Sequence, residues 1–245
     1  MTDRPTTQPL PAEVLARLIA SDSARPRLTW YDDEPGPTAG ERIELSGRVL
    51  GNWVSKAANL LQDDAAAEPG TTVGIDLPAH WRSAYWALAT WSVGATVVIG
   101  ESATGADVLV TDSPERAAAH GGDTVLVTLA ALARSHPGIA EAGGAVDEAR
   151  ELSTHGDVFT PMADPERADV ALATEAGDTA YGLLVAAEPA WGAGPRVALR
   201  GTLERVLRGC LSAWAADGSV VLSRGDSPRD AERMASESVT VDARD

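Results

Sequence analysis

The sequence predicts an α/β protein with mostly parallel sheets flanked by helices, arranged in two βα halves. Three observations lead there. Short β-branched and aliphatic runs recur at Thr72 to Leu77, Ala95 to Ile99, Asp107 to Thr111 and Thr124 to Thr128. Between them lie segments whose apolar residues fall three and four apart, the helical period. Alternation of strand and helix in this manner calls for parallel βαβ units with helices on both sheet faces.

Taken in order, Pro11 with Val14, Leu15, Leu18 and Ile19 reads as an amphipathic helix, proline being tolerated in a first turn. Pro26 breaks the chain before a short strand at Leu28 to Tyr31, and the Asp-, Pro- and Gly-rich run Asp32 to Gly40 is a loop. Ser46 is placed to cap a helix carrying Val49, Leu50, Trp53, Ala57, Leu60 and Leu61. Pro69 and Gly70 turn the chain into the Thr72 to Leu77 strand. A helix over His80 to Val93 follows, with Trp81, Ala84, Tyr85, Leu88 and Trp91 on one face, and Ser113 to Ala119 reads as another helix.

Residues 134–164 are poor in large apolar side chains and rich in Gly, Pro, His and acid, which predicts a mobile connection between sub-halves 1–133 and 165–245 of a single domain. In the second half, Ala168 to Ala173, Leu183 to Ala187 and Arg196 to Leu199 are candidate strands. Leu203, Val206, Leu207, Cys210, Leu211 and Trp214 form a helical stripe, ended by Gly218 before a strand at Ser219 to Leu222. The tail from Ser223 has the composition of a disordered segment, relieved by a short helix between Pro228 and Met234 and a strand at Val239 to Val241.

Composition narrows the function classes. The 245 residues suffice for one sizeable core. A formal net charge of −16 opposes the counterion release that drives nucleic-acid binding, so no nucleic-acid partner is expected. No apolar run approaches a bilayer span, and Met1 to Gln8 is polar, without the apolar core of a secretory signal. Cys210 is the single cysteine, which removes disulfide frameworks and thiolate metal sites and fits a cytoplasmic protein.

Chemical motifs are sparse. His80, His120, His136 and His155 lack metal-ligand spacing and read as surface or loop residues, and no metal site is expected. Cys210, on an apolar stripe, reads as an inert buried thiol. Asp32, Asp33 and Glu34 lack the alternation of a calcium loop and read as a solvated turn. Gly192-Ala-Gly194 is half a dinucleotide fingerprint, cut short by Pro195. Arg224-Gly-Asp226 is an adhesion tripeptide by coincidence. Trp53, Trp81, Trp91 and Trp214 sit at core spacing, whereas Trp86 and Trp191 fall off the stripes and are candidates for a pocket or an interface.

An ordered set of segments adds a family resemblance. Arg42-Ile-Glu-Leu-Ser with the helix that follows resembles the "shtYreLs…ANlL" opening of the adenylate-forming superfamily, which includes the acyl-CoA synthetases and AMP-binding enzymes. Pro69-Gly-Thr-Thr-Val-Gly-Ile-Asp-Leu-Pro is similar to its "pGD-V-a-l-lp" strand, and Trp91-Ser-Val-Gly-Ala-Thr-Val-Val to its "a-l-k-a-GA-vvvp" element. Asp107-Val-Leu-Val-Thr-Asp resembles the next strand, Ala216-Asp-Gly-Ser-Val-Val-Leu the "aGatvVl" strand, and Ser227 to Thr240 the helix leading into "vT". The resemblance runs from about Arg27 to Thr240 and implies a truncated version of that family's large N-terminal domain.

Such enzymes carry a Ser/Thr/Gly-rich phosphate loop followed by Pro-Lys-Gly. Here the corresponding run is Ala173-Thr-Glu-Ala-Gly-Asp-Thr-Ala-Tyr-Gly. The resemblance implies Thr174, Gly177 and Thr179 as the remnant that would hold ATP or AMP with magnesium, while Glu175 and Asp178 set carboxylates where phosphate belongs and no lysine follows. With the later motifs also beyond this chain, the expectation is a non-catalytic homologue with residual nucleotide or small-molecule binding. The alternative is a regulatory or scaffold protein that binds another polypeptide, or a second copy, through an exposed sheet surface.

Overall fold

The computed structural model describes residues 8–244, so the reading of the polar N-terminus lies almost wholly outside the described residues. The first part of the chain forms α1 (Pro11–Asp22), β1 (Pro26–Asp32), β2 (Arg42–Ser46), α2 (Gly47–Asn59), β3 (Thr72–Asp76), α3 (Trp81–Ser92), β4 (Thr96–Val98), β5 (Val108–Thr111), α4 (Pro114–Ala119) and β6 (Asp123–Leu126). The remainder adds β7 (Val146–Asp147), α5 (Glu148–Glu151), β8 (Val170–Thr174), β9 (Gly177–Ala180), α6 (Tyr181–Leu184), β10 (Arg196–Leu199), α7 (Leu203–Ala215), β11 (Ser219–Arg224), α8 (Asp230–Ser236) and β12 (Val241–Ala243).

Two mostly parallel sheets result, as the sequence predicts. The first runs β12-β10-β11-β1-β2 and the second β7-β6-β5-β3-β4-β8-β9, with antiparallel pairing only at β1–β2 and β8–β9. The inner strands of the second sheet are buried along their length, Val73 to Ile75, Thr96 to Val98 and Val108 to Thr111, as a parallel sheet covered on both faces requires. Helix starts follow local chemistry. Ser46 Oγ accepts the Val49 N–H at 3.3 Å, and His80 Nδ1 accepts the Arg82 N–H at 3.2 Å.

Helix α3 packs against β1 of the first sheet, against β3 and β4 of the second, and against α2 and α7. A helix wedged between two sheets has no solvent face, and every residue from Trp81 to Trp91 is buried. Trp86 is therefore a core residue (0% exposed), which corrects the expectation of a pocket or interface; Trp191 is half-buried against the same core. His80 is likewise buried rather than at the surface, its ring 4.5 Å from that of Trp30, and burial together with Arg82 and Arg224 pushes its pKa down to about 2. The aromatic polar groups tie layers together: Trp91 Nε1 donates to the Ala171 carbonyl at 2.7 Å and Trp214 Nε1 to that of Arg27 at 3.0 Å.

Several expectations need correction. The sheets do not divide at residues 134–164: the first takes its strands from both ends of the chain and the second from the middle. Nor is that segment a free connection. It carries β7 and α5, and α2 with the π-helical turn that continues it (Leu60–Asp64) holds its backbone along a polar edge at three-residue spacing. Lys56 Nζ donates to His155 O (2.6 Å), Asn59 Nδ2 to Gly156 O and Val158 O (3.0 Å each), and Gln62 accepts the Met162 N–H (3.0 Å). Leu183 to Ala187 is not a strand. The β8–β9 hairpin uses that place at the sheet edge, so the apolar run turns through α6, burying Leu184 and Val185 and exposing Leu183.

Asp32 is buried, bonded to Thr38 Oγ1 at 2.6 Å and to Arg224, which corrects the solvated-turn reading at that residue, whereas Glu34 is exposed. At the end of α7 the left-handed residue is Asp217 (φ +58°). Gly218 is there for space, because a Cβ would lie 2.4 Å from the Pro195 carbonyl oxygen.

The described part of the tail, to Arg244, forms α8 and β12. Helix α8 buries no residue and is held to the first sheet by charge: Arg233 pairs with Asp33 at 2.6 Å and lies 4.0 Å over the Tyr31 ring, while Glu237, just beyond α8, accepts from Arg42, Arg196 and Tyr31. The central strands of both sheets are largely buried. Among the described residues the exposed large apolar side chains, such as Leu132, Val158, Met162 and Leu183, do not lie on strands. No described helix is long and apolar enough to cross a membrane. Cys210 is buried, and burial pushes its thiol pKa far up, which makes it inert.

Candidate functional site

A cavity of about 770 Å3 opens where parallel strands β3, β4 and β8 end and the N-terminus of α7 faces them from the side of the other sheet. Carboxyl ends of parallel strands are where open α/β sheets bind ligands, because the loops that leave them diverge. Asp76 and Leu77 leave β3, Gly100 and Glu101 leave β4, Thr174 to Ala176 leave β8, and Thr202 to Glu204 open α7.

The turn from β8 to β9 decides what this cleft can hold. Thr174 pairs with Gly177, leaving Glu175 and Ala176 as a two-residue hairpin turn. Thr174 Oγ1 is spent on that turn, accepting the Ala176 N–H at 3.2 Å and donating to the Gly177 carbonyl at 3.1 Å. Gly177 takes φ +128° to let β9 return. A closed turn of this kind offers no wide run of amides to converge on a phosphate.

Of the three residues expected to bind cofactor, Thr174 alone lines the cleft. Gly177 has turned onto β9, and the Thr179 hydroxyl accepts from Arg208 at 2.9 Å. The structure does not bring the three together, because the residues after Thr174 run antiparallel beside β8. Glu175 does face the cleft, its Oε1 accepting the Glu101 N–H at 3.3 Å, whereas Asp178 lies exposed on β9 and outside it.

Carboxylates dominate the lining: Asp76, Glu101, Glu175 and Glu204, against the single guanidinium of Arg116. Arg116 is already paired with Asp76, whose other oxygen accepts from Thr111 Oγ1 at 2.6 Å, and Glu204 is paired with Arg208 at 2.9 Å. The only lysine, Lys56, is engaged with Asp157 on α2. Among the described residues no three His, Cys, Asp or Glu side chains converge to hold a metal. Neither the turn nor the charge fits ATP with magnesium. The signal for this in the sequence was Glu175. The hairpin itself had none, since Gly177 to Ala180 lacks any β-branched or aromatic pattern beyond Thr179.

No family model matches the sequence. A Mycobacterium tuberculosis (strain ATCC 25618 / H37Rv) protein described as "TIGR03089 family protein" is 32% identical over 228 residues, covering 90% of this chain and 78% of that one. Among solved structures, a Brucella canis acyl-CoA synthetase superposes with TM-score 0.72 at 14% identity, over 99% of this chain and 48% of that one. An artificially fused adenylation–PCP di-domain from Klebsiella oxytoca, NpsA-ThdA, gives 0.67 at 15% identity, over 95% and 42%. The fold is that of the adenylate-forming superfamily, and the chain spans less than half the length of these two solved chains.

Proposed function

The chain belongs to the TIGR03089 protein family, and from that footing we propose that it is a non-catalytic relative of the adenylate-forming enzymes, a pseudoenzyme whose cleft has lost the ability to seat a nucleotide triphosphate. The observation that carries this reading is the two-residue turn Glu175–Ala176, at the position where the sequence resemblance sets the phosphate loop. Phosphoryl-type charge is stabilised by converging donors and cations, and loss of one strong contributor typically costs about 10²–10³ in rate. Here the loop amides, a lysine and a free arginine are missing from the cleft together. A phosphate 4 Å from the Glu175 carboxylate would in addition meet a repulsion of about 1 kcal/mol in water and about 4 kcal/mol near a protein surface.

Calorimetric titration with ATP and with AMP, each with magnesium, tests the reading at the level of binding. It predicts no saturable heat up to about 1 mM, a free-energy ceiling of about −4 kcal/mol. Micromolar binding that weakens in Thr174→Ala would overturn it, because a working phosphate site would then survive in the turn.

A further inference from the structure

A cavity of about 470 Å3 that shares no lining residue with the acidic cleft lies between α1 and the segment 159–165. Leu15 and Ile19 form its α1 wall, and Val54 of α2 with Trp91 of α3 closes its floor. Phe159, the single phenylalanine of the chain, and Pro161 form the opposite wall. Ile19 is 37% exposed, so the apolar wall of α1 reaches solvent. Volume and lining are those of a small-molecule site, where apolar and aromatic side chains supply contact and a few polar groups fix orientation.

The Phe159 wall is held in place from behind. Residues 158–162 belong to no helix or strand, yet α2 and the π-helical turn after it bind their backbone. Asn59 Nδ2 donates to Val158 O at 3.0 Å, and Gln62 donates to Thr160 O at 3.4 Å and accepts the Met162 N–H at 3.0 Å. Along this pinned segment exposure alternates: Val158, Thr160 and Met162 are exposed, while Phe159 and Pro161 are half-buried and line the cavity.

The charge of the lining selects the occupant. Glu13 and Asp164 are its charged residues, and no Lys, Arg or His lines it. Glu13 Oε2 accepts the Leu10 N–H at 2.8 Å, which fixes that carboxylate in the first turn of α1. Neither Glu13 nor Asp164 has a cationic partner among the described residues. Ser55 of α2 adds a hydroxyl that can accept from an N–H. An anion of any shape would meet two like charges here and no cation.

We propose that this cavity binds an organic ammonium ion with an apolar body the size of an aromatic ring, the ring between Ile19 and Phe159 and the ammonium toward Glu13 and Asp164. The site stands whether or not the chain adenylates.

Amide chemical-shift titrations with phenethylammonium, its neutral analogue phenethyl alcohol and the anionic 3-phenylpropionate test it. Saturable shifts at Ile19, Ser55 and Phe159 are expected with phenethylammonium at about 10 mM or below. The alcohol is expected to bind about fivefold more weakly, the range of a partly exposed ion pair, and phenylpropionate more weakly still. Phe159→Ala is expected to weaken phenethylammonium binding about tenfold. Glu13→Gln with Asp164→Asn is expected to remove the advantage of the ammonium over the alcohol and to leave the affinity for the alcohol unchanged; Gln keeps an acceptor for the Leu10 N–H, so the start of α1 is preserved. Equal binding of the three probes, an ammonium preference that survives in the double variant, shifts confined to other residues, or no shifts up to about 50 mM phenethylammonium would overturn the proposal.

Discussion

Arg82→Met destabilises the protein by about 3–5 kcal/mol at pH 8, and by clearly less at pH 5. Arg82 and Glu148 are both buried, with Nη1 3.0 Å from Oε1 and 3.1 Å from Oε2, the Tyr85 hydroxyl bonded to the same carboxylate, and the guanidinium 4.4 Å over the Trp81 ring. Burial pushes the Glu148 carboxyl up to about 7, with Arg82 opposing the rise. A carboxyl whose folded pKa lies above its unfolded value of 4.5 contributes stability that is fully present below about pH 4.5 and lost as pH rises through about 7.

Removing Arg82 raises that pKa further, so the variant must bury a charge or keep a proton where the wild type pairs it. The penalty grows with pH by up to about 1.4 kcal/mol per unit. Near pH 5 both proteins hold a neutral carboxyl, and mainly the packing of Arg82 on Trp81 is lost. Urea unfolding at the two pH values checks this. An equal loss at both would mean that Glu148 stays charged throughout.

Gly74→Ala costs about 3 kcal/mol, the upper end of what overpacking does without unfolding. Gly74 sits in β3, between β4 and β5, and a Cβ there would lie 2.0 Å from the Ala103 carbonyl oxygen and 2.7 Å from its carbon. A strand paired on both sides cannot move aside, so the 3₁₀ turn Glu101–Gly105, which carries two cleft residues, must shift. Gly105→Ala on the same turn meets nothing within 4 Å and is expected to change stability by less than about 0.5 kcal/mol. Thermal denaturation of the pair separates loss of space from loss of glycine as such.

Much of the fold was legible because parallel strands announce themselves. Val108 to Thr111 and Thr96 to Val98 are short apolar runs, and runs buried on both faces need no alternation to be recognised. Caps are equally local, and Ser46 behaves as its sequence position suggests. What failed was whatever depends on a distant partner. A stripe was sought in α3, but between two sheets every face is buried, and Trp86 is as much core as Trp91. Arg82 and Glu148 are 66 positions apart, and no local pattern links them. Asp32 looked solvated because Arg224, which neutralises it, lies at the other end of the chain.

The candidate site was legible in its chemistry and not in its shape. Glu175 signalled a carboxylate in the site, and it lines the cleft. That Gly177 and Thr179 would peel away depends on β9, a strand made by pairing with β8 and by no propensity of its own.

The central claim, that the Glu175–Ala176 turn leaves the chain unable to adenylate, is tested most directly by carboxylate-dependent exchange of labelled pyrophosphate into ATP. The account predicts no exchange above the no-protein background with any member of a panel of aliphatic, aromatic and amino-acid carboxylates. Exchange that depends on an added carboxylate, and is abolished in Thr174→Ala, would contradict it and return the turn to the role of a working phosphate loop.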